Sequence, residues 1–273
     1  MKVVLSIAGS DCSGGAGIQA DLKTMCAHGV YGMTAITALT AQNTLGVRNV
    51  SPVTLSFLEE QLDACLSDIG ADAIKIGMIP KEALLLPVIR KLKEYNCKNI
   101  VLDPVMISTS GKRLMDAETV KKMERELFPL CRLITPNLPE AEYLSGEKAK
   151  DYYDMEMMAE KLGKKYGCAV LIKGGHFKEN RKNESDFGID EVGENSVTDV
   201  LFENGHIYEF SEKRIENPNT HGTGCTLSSA IASNLALGYS LEEAVMRGKQ
   251  YVTKVIEQGL DLGHGVGPMN HML

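Results

Sequence analysis

Short β-branched runs alternate with amphipathic helical segments along most of this 273-residue sequence, and this alternation restricts the fold more than any other feature. Strands are predicted at residues 3–8, 34–40, 73–76, 99–102, 133–135 and 169–172. Between them, apolar residues recur at helical spacing in residues 55–69, 81–95, 117–127 and 155–166. Repeated strand–helix–strand units build a parallel sheet covered by helices. The sequence therefore predicts a doubly wound α/β fold.

Several predicted strands are apolar at every position, as in residues 100–102 and 170–172. A strand that is buried on both faces needs helices above and below it. This pattern predicts a three-layer α/β/α sandwich with a mostly parallel central sheet. Late in the chain, two further strands at residues 197–202 and 206–210 flank an Asn-Gly pair, which favours a β-hairpin. Two long helices are predicted to begin near Gly224 and Leu241.

The organisation of the chain indicates a single domain over residues 1–273, because neither an interdomain linker nor an internal repeat is visible. Residues 177–196 are polar and acidic, which is typical of a mobile surface loop. The net charge of −7 and the lack of a basic run argue against a nucleic-acid partner.

No stretch approaches the roughly 20 apolar residues that a membrane span needs, so no membrane partner is expected. The start of the chain reads as a first strand rather than a signal peptide. The seven cysteines include no C-x-x-C pair and are odd in number, which fits unpaired thiols in a reducing compartment. We therefore expect a cytoplasmic protein.

The loop after the first strand, residues 9–17, is rich in glycine and leads into a helix. In open α/β sheets, ligands bind beyond the carboxyl ends of the strands, and glycines allow the backbone to approach a ligand closely. This loop is therefore a candidate ligand-binding segment. The loop lacks the Gly-Lys-Ser/Thr ending of a phosphate-binding P-loop. Taken alone, it is equally consistent with a flexible strand-to-helix turn.

Gln42 lies in the segment Ala-Gln-Asn-Thr, residues 41–44, which follows a predicted strand. Its amide carries one acceptor and two donors, which complement the edge of an aminopyrimidine. The alternative is an amide that only ties down a loop.

Two further strand ends carry polar residues that suit a metal–phosphate. Asp103 follows an apolar strand, and an acid in this place suits a magnesium shell, often through water. Asn137 and Glu140 lie three residues apart where a strand turns into a helix, so both could face the same metal–phosphate. Alternatively, Asn137 is a helix N-cap and Glu140 completes a capping pair. Lys173, after another strand, either reaches a nucleotide phosphate or extends into solvent.

The segment at residues 219–226 opens an apolar helix. Gly222 and Gly224 expose backbone N–H groups where the helix dipole is positive, which suits the charge of a transferring phosphoryl group. Cys225 stands in the first turn, where the pKa of a thiol tends to be lowered, and a thiolate there can accept a hydroxyl proton. The alternative is a buried cysteine that packs beneath the helix.

Together these segments resemble the hydroxymethylpyrimidine/phosphomethylpyrimidine kinases of thiamine biosynthesis, which belong to the ribokinase-like superfamily. The resemblance is carried by residues 7–24, 36–47, 75–78, 101–106, 134–142, 173–176, 219–227 and 263–268. It implies a ribokinase-like fold, ATP and Mg²⁺ as co-substrate and metal, a small pyrimidine substrate phosphorylated twice in succession, and a homodimer.

The resemblance also implies a role for each site residue. Gln42 would grip the pyrimidine in a pocket lined by Gly9, Asp11, Asp21 and Val105. Magnesium and phosphates would be organised by Asp103, Glu140 and Asn137, and the nucleotide would contact Asn137, Lys173 and Thr223. Gly222 and Gly224 would form the anion hole, with Cys225 as the base. A cysteine in that position is similar to the pyrimidine kinases and to some pyridoxal kinases, whereas most of the superfamily has an aspartate there.

Two alternatives remain open at this point. A pyridoxal kinase of the same superfamily, or an enzyme for both substrates, would share most of these residues. Gln42 in its Ala-Gln-Asn-Thr context favours the pyrimidine. A non-catalytic ligand-binding protein on the same fold is the other alternative, and the intact set of Asp103, Asn137, Glu140 and Cys225 argues against it.

Overall fold

The computed structural model describes residues 1–106, 115–175 and 196–272. The predicted mobile loop at residues 177–196 therefore lies, apart from Ser196, outside the described residues. Within the described ranges, no helix combines the length and the apolar character that crossing a bilayer requires.

The strands and helices alternate through most of the described chain, as predicted. The strands are β1 (Val3–Asp11), β2 (Tyr31–Asn43), β3 (Gly46–Pro52), β4 (Ala73–Ile76), β5 (Ile100–Leu102), β6 (Leu133–Ile134), β7 (Ala169–Ile172), β8 (Ser196–Glu203) and β9 (His206–Lys213). The helices are α1 (Gly17–Ala27), α2 (Leu55–Asp68), α3 (Glu82–Glu94), α4 (Ala117–Lys122), α5 (Leu138–Ser145), α6 (Tyr152–Tyr166), α7 (Thr223–Leu237) and α8 (Leu241–Gln258). A π-helical turn, Met123–Leu127, and a 3₁₀ turn, Phe128–Leu130, follow α4.

One sheet contains all nine of these strands, in the order β3-β2-β1-β4-β5-β6-β7-β8-β9. The pairings from β2 through β1, β4, β5 and β6 to β7 are parallel. The outer strands β3, β8 and β9 are antiparallel to their neighbours. The mostly parallel α/β sheet is therefore confirmed, and its six parallel strands end at a common edge.

Helices cover both faces of this sheet and produce two separate apolar cores. One core includes Leu58 of α2, Leu85 of α3 and Met155 of α6, all fully buried. The other includes Met25 of α1 and Ile231 of α7, together with residues of α8. Since the central strands contribute apolar side chains to both cores, the three-layer sandwich is confirmed.

The late hairpin is formed by β8 and β9, whose last and first residues pair across a two-residue turn. Asn204 and Gly205 in this turn have φ values of 51° and 86°. Positive φ at both central positions is the requirement that Asn-Gly satisfies best, so the predicted hairpin is confirmed.

Strand β3 was not predicted. Its residues are half-exposed or exposed, and its two valines are three positions apart, so they lack the apolar alternation that marks a strand. β3 folds back on the end of β2, and the register between the two shifts at Ala41 and Gln42. Such a bulge re-aims a side chain, and here it places Gln42 on an irregular strand end rather than on a loop.

Candidate active site

The common edge of the parallel strands and the start of α7 surround a cavity of about 1750 Å³. Most of the residues predicted from the sequence line it: Gly9, Asp11, Gln42, Asp103, Val105, Asn137, Glu140, Lys173, Gly222, Thr223, Gly224 and Cys225. Segments that are far apart in the sequence therefore meet in one place, as expected at the carboxyl ends of parallel strands.

Asp11 holds the glycine-rich loop rather than simply facing the cavity. Its carboxylate accepts hydrogen bonds from the backbone N–H groups of Ser13 at 2.9 Å, Gly15 at 3.2 Å and Ala16 at 2.9 Å. Burial by itself would raise the pKa of Asp11, but hydrogen bonds from His221 and Ser13 outweigh it and lower the pKa to about 2. The ionised carboxylate thus fixes the loop at the edge of the cavity.

Gly222 and Gly224 allow the start of α7 to approach its neighbours closely. Gly222 is the N-cap with φ 91°, and a Cβ there would lie 1.9 Å from the carbonyl oxygen of Gly15. A Cβ on Gly224 would lie 2.9 Å from Oδ2 of Asp103 and 3.2 Å from Nζ of Lys173. The first N–H groups of a helix lack intrahelical acceptors, so this end of α7 presents donors to the cavity. Thr223 turns its hydroxyl back to the carbonyl of Thr220 at 2.7 Å.

Cys225 is half-buried at the cavity wall, in the first turn of α7. Burial raises the pKa of its thiol. The positive charge of Lys75 lowers this pKa, but the negative charges of Asp21 and Asp103 raise it, and the net result is a raised pKa. The expectation of a lowered pKa is therefore wrong. The helix dipole suggested a thiolate, but desolvation and two neighbouring carboxylates favour the thiol.

Asp103 and Lys173 form an ion pair on the cavity wall. Nζ of Lys173 donates to Oδ1 of Asp103 at 2.6 Å, and the hydroxyl of Thr135 donates to the same oxygen at 3.1 Å. Burial lowers the pKa of Lys173, but the charges of Asp103 and Glu140 outweigh this and raise it. Lys173 therefore stays a cation beside the start of α7 and does not extend into solvent. The backbone N–H of Val105 donates to the carbonyl of Asp103 at 2.9 Å and holds this turn.

Asn137 and Glu140 form the capping box of α5, as the alternative interpretation proposed. The side chain of Asn137 accepts from the N–H of Glu140 at 2.9 Å, and Oε2 of Glu140 accepts from the N–H of Asn137 at 2.8 Å. Oε1 of Glu140 accepts from the N–H of Met106 at 3.2 Å. Burial raises the pKa of Glu140, Lys173 lowers it and Asp103 raises it, with a resulting pKa of about 7.

The donor groups suit a magnesium ion that arrives with a nucleotide better than a resident metal. Among the described residues, no cluster of three or more His, Cys, Asp or Glu side chains could hold a metal ion. Oδ1 of Asp103 is hydrogen-bonded to Lys173, and its Oδ2 points toward Gly224 at the cavity. Hard oxygen donors of this kind, few in number, fit Mg²⁺ that keeps water and phosphate ligands.

Asp21, expected to line the pocket, is instead fully buried within α1 and is absent from the cavity wall. Its carboxylate accepts from Nζ of Lys75 at 2.8 Å, from the Ser6 hydroxyl at 2.5 Å and from the Ser229 hydroxyl at 2.7 Å. The expectation for Asp21 is therefore wrong. Asp21 lies on the helix next to the glycine loop, but its side chain faces the sheet. The Lys75–Asp21 pair lies behind Cys225 and connects β1, β4, α1 and α7.

His221 is a site residue that the sequence analysis missed. Its Nε2 lies 2.9 Å from Oδ2 of Asp11 and 2.9 Å from Nε2 of Gln42, so it connects the glycine loop, the end of β2 and the start of α7. His221 was not among the residues predicted from the sequence. The usable signal was the position of His221 immediately before Gly222.

A second missed feature is a buried ion pair at the other end of the cavity. Nζ of Lys249 on α8 lies 2.8 Å from Oδ2 of Asp199 on β8, and both side chains are about one-twelfth exposed. Oδ1 of Asp199 accepts from the N–H of Gly174 at 2.8 Å, directly after Lys173. This pair holds the turn that follows β7.

Comparison with known proteins gives consistent results. A family described as phosphomethylpyrimidine kinase matches residues 11–270. The chain is 41% identical over 267 residues to the hydroxymethylpyrimidine/phosphomethylpyrimidine kinase of Bacillus subtilis, covering 98% of this chain and 93% of the relative. It is 44% identical over 270 residues to the thiamine biosynthesis bifunctional protein ThiED of Geobacter sulfurreducens, covering 99% of this chain. The chain spans about half, 52%, of that longer relative.

Solved structures of two related kinases have the same fold. The ADP complex of Bacillus subtilis pyridoxal kinase has a TM-score of 0.87 at 36% identity, with 99% of this chain and 97% of that chain covered. The phosphomethylpyrimidine kinase of Clostridium difficile has a TM-score of 0.78 at 41% identity, with 94% of this chain and 100% of that chain covered. These likenesses confirm the predicted ribokinase-like fold.

Proposed function

The chain belongs to the phosphomethylpyrimidine kinase family, and from this membership we propose which residues of the cavity carry out each part of the reaction. The enzyme is a phosphotransferase that phosphorylates 4-amino-5-hydroxymethyl-2-methylpyrimidine first to its monophosphate and then to its diphosphate, in thiamine biosynthesis. One observation carries the assignment of residues. Gln42, which complements an aminopyrimidine edge, borders the same cavity as residues 222–225.

In this assignment Gln42 binds the pyrimidine edge, and the glycine loop with Gly9 and the turn at Val105 enclose the ring. Asp11 contributes to pyrimidine binding indirectly, because its carboxylate accepts from backbone N–H groups of the glycine loop and so holds the loop in place. This positioning brings the hydroxymethyl oxygen next to the start of α7. Holding two reactants in line supplies much of the rate enhancement of phosphoryl transfer.

The start of α7 stabilises the transferring phosphoryl group. Gly222, Gly224 and the cation of Lys173 line the same part of the cavity, so backbone N–H groups and a positive charge are available where negative charge would build. Preorganised donors in a site of low dielectric constant are worth about 3 kcal/mol each in activation free energy. The thiolate form of Cys225, the minor form at neutral pH because burial raises the pKa of the thiol, accepts the hydroxyl proton, which in a loose transition state leaves late.

ATP is the co-substrate that the kinase family implies. Mg²⁺ bound to its phosphates would be held by Asp103, and by Glu140 through water, and would neutralise phosphate charge. Asn137, Thr223 and Lys173 would contact the nucleotide.

Chelation with EDTA is expected to abolish ADP release, and added Mg²⁺ is expected to restore it. Full turnover in EDTA would contradict this metal assignment.

The proposal is tested by assaying ADP release and product formation with the hydroxymethylpyrimidine, its monophosphate and pyridoxal side by side. We expect sequential conversion of the pyrimidine to mono- and diphosphate, followed by ³¹P NMR, with pyridoxal as the poorer substrate. Equal kcat/KM for both alcohols would make the enzyme dual-substrate, as its likeness to pyridoxal kinases permits. Absence of ADP release with every substrate would instead support a non-catalytic ligand-binding protein.

Replacing Gln42 by leucine is expected to weaken binding of the pyrimidine specifically. The variant loses a donor and an acceptor and leaves two polar atoms of the substrate unpaired, at a cost of roughly 1–3 kcal/mol for each. KM for the pyrimidine should therefore rise at least about tenfold, while KM for ATP stays the same. Leu86, which is exposed on α3 and is not part of the cavity lining, supplies a control position as Leu86→Gln. An unchanged pyrimidine KM in Gln42→Leu would remove Gln42 from the recognition site.

The domain organisation, the oligomeric state and the cellular location of the protein are also proposals. We propose a single-domain enzyme, since one sheet extends from β3 to β9, and a homodimer in the cytoplasm. The seven cysteines, all within the described residues, are free thiols, which supports a reducing compartment. Light scattering should give twice the chain mass, and cell fractionation should place the enzyme with the cytosolic proteins.

A further inference from the structure

The hydrogen bonds around Gln42 determine which end of its side-chain amide faces which neighbour. In the structure the amide lies between two side chains: its nitrogen is 2.9 Å from Nε2 of His221, and its oxygen is 3.3 Å from Oγ1 of Thr40. The nitrogen and oxygen of such an amide exchange places by a half-turn about its last bond, without any change of shape. The protons of the two neighbours decide between these orientations.

The first neighbour, His221, presents a donor. Its Nε2 lies 2.9 Å from Oδ2 of Asp11, and that carboxylate also accepts from the N–H groups of Gly15 and Ala16. The hydroxyl and the N–H of Ser13 also donate to Asp11 and help to lower the pKa of its carboxyl, to about 2, so Asp11 is ionised and its oxygens only accept. Nε2 of His221 therefore carries a proton, whether the ring is neutral or charged. The amide nitrogen of Gln42 is also a donor, so in this orientation it faces the N–H of His221 and finds no acceptor there.

The second neighbour, Thr40, presents an acceptor. Its hydroxyl lies 3.0 Å from the carbonyl oxygen of Ser10, which can only accept, so the single hydroxyl proton is used there. The remaining lone pairs of Oγ1 then face the oxygen of Gln42, and two acceptors meet. The half-turn removes both mismatches: the amide oxygen shares the Nε2 proton of His221 with Asp11, in a three-centre hydrogen bond, and the amide nitrogen donates to Thr40.

We infer that His221 and Thr40 lock the Gln42 amide with its oxygen toward His221 and its nitrogen toward Thr40, and that this lock selects a 4-amino over a 4-oxo pyrimidine. The inference rests on the proposed function for the identity of the ligand. With the amide locked, its free edge offers a donor on the Thr40 side and an acceptor on the His221 side. A 4-aminopyrimidine matches this order, with its ring nitrogen at the donor and its amine at the acceptor.

The lock also gives the ring a direction. In the substrate the ring nitrogen, the 4-amino group and the 5-hydroxymethyl group follow one another around the ring. When the amine lies on the His221 side, the hydroxymethyl group extends further toward that side. His221 leads directly into Gly222 and the start of α7, where Cys225 stands. The opposite amide orientation would turn the hydroxymethyl group away from these residues. His221 and Thr40 are thus positioning residues that act through Gln42.

The test compares kcat/KM for the 4-amino substrate with that for its 4-oxo analogue, which carries a ring N–H donor and a carbonyl acceptor in the reverse order. His221→Phe keeps a ring next to Gly15 but removes the donor. The amino-to-oxo ratio of kcat/KM is expected to fall by roughly ten- to a hundredfold in this variant, because the amide is free to turn. His221→Gln, whose amide can again donate toward Asp11 and Gln42, is expected to restore most of the ratio.

Thr40→Val is a second variant of nearly unchanged shape, in case the phenylalanine variant does not fold. It removes the acceptor on the other side of the amide, so the ratio is expected to fall there as well. A purely structural role would lower kcat/KM for both pyrimidines equally. An unchanged ratio in both His221→Phe and Thr40→Val would overturn the inference, while activity of the wild type on the amino substrate separately tests the proposed function.

A readout without substrate separates the two proposals further. In ¹⁵N spectra of the wild-type enzyme, with the His221 signal identified by its loss in His221→Gln, Nε2 of His221 is expected to be protonated near neutral pH. A deprotonated Nε2 would reverse the amide and overturn the lock, even if the enzyme phosphorylates the pyrimidine normally.

Discussion

Cys225→Ala is expected to lower kcat by about 10²- to 10⁴-fold, the usual contribution of a positioned general base, with little change in the Kd of either substrate. The thiol stands at the cavity wall in the first turn of α7, whereas in the proposed assignment the pyrimidine is bound through Gln42. Single-turnover kinetics measure the chemical step, and equilibrium titration measures binding. Because alanine removes only the sulfur, the start of α7 stays intact.

The pH dependence of the same step gives an independent check. Burial raises the pKa of Cys225, so the thiol predominates at neutral pH and the thiolate fraction grows as the pH rises. If the thiolate accepts the proton, wild-type kcat rises with pH up to the raised pKa, and this rise is absent in Cys225→Ala. Cys26→Ala, at an exposed cysteine of α1, is the matched control and should behave as the wild type. Wild-type turnover in Cys225→Ala would exclude the base role.

Lys75→Met is expected to have the largest effect on stability, lowering the free energy of unfolding by about 3–5 kcal/mol. Lys75 and Asp21 are both fully buried, and Nζ of Lys75 donates to the Asp21 carboxylate at 2.8 Å. Burial lowers the pKa of Lys75, but Asp21 and Cys225 outweigh this and raise it, so the pair is charged. Removing the cation leaves a buried carboxylate whose remaining hydrogen-bond donors, within the described ranges, are two serine hydroxyls. Urea unfolding monitored by circular dichroism measures the change.

The double variant Asp21→Asn with Lys75→Met distinguishes loss of the pair from loss of packing. Removing both charges should recover a large part of the lost stability, because breaking one side of a buried pair costs more than replacing both. Lys2→Met is the matched control, since Lys2 pairs with Asp72 at the surface at 2.7 Å and should contribute about 0–1 kcal/mol. A loss of less than about 1 kcal/mol in Lys75→Met would contradict a buried charged pair.

The fold was predictable because its signals are local. Apolar periodicity distinguished strands from helices along most of the chain, and the Asn204-Gly205 pair specified the hairpin turn through positive φ at two neighbouring residues. The strand that escaped prediction, β3, has no buried residue and no apolar alternation. It is a strand only because the end of β2 offers it a partner. A strand defined by its pairing rather than by its own apolar pattern leaves little trace in the sequence.

Most of the candidate site was predictable for a related reason. Parallel strands end at one edge, so polar residues after each strand meet there without any knowledge of the distances between them. Asp103, Lys173 and Gln42 were found in this way, Cys225 was found from the glycines at the start of α7, and all four line the cavity. Asp21 was not placed correctly, because a helical residue beside the loop can face the cavity or the sheet. The choice depends on Lys75, which is 54 residues away in the sequence.

The sequence by itself determined the α/β class, the hairpin, the family and the edge of the sheet at which chemistry takes place, because each follows from local periodicity or from short ordered motifs. Only the tertiary structure decided the raised pKa of Cys225, the burial of Asp21 and the contact between His221 and Gln42. These depend on desolvation and on partners that the fold brings together. Asp21 and Ser229 are 208 residues apart in the chain, and Gln42 and His221 are 179 apart. Electrostatic and hydrogen-bond energies depend on distance in space, which no local sequence pattern records.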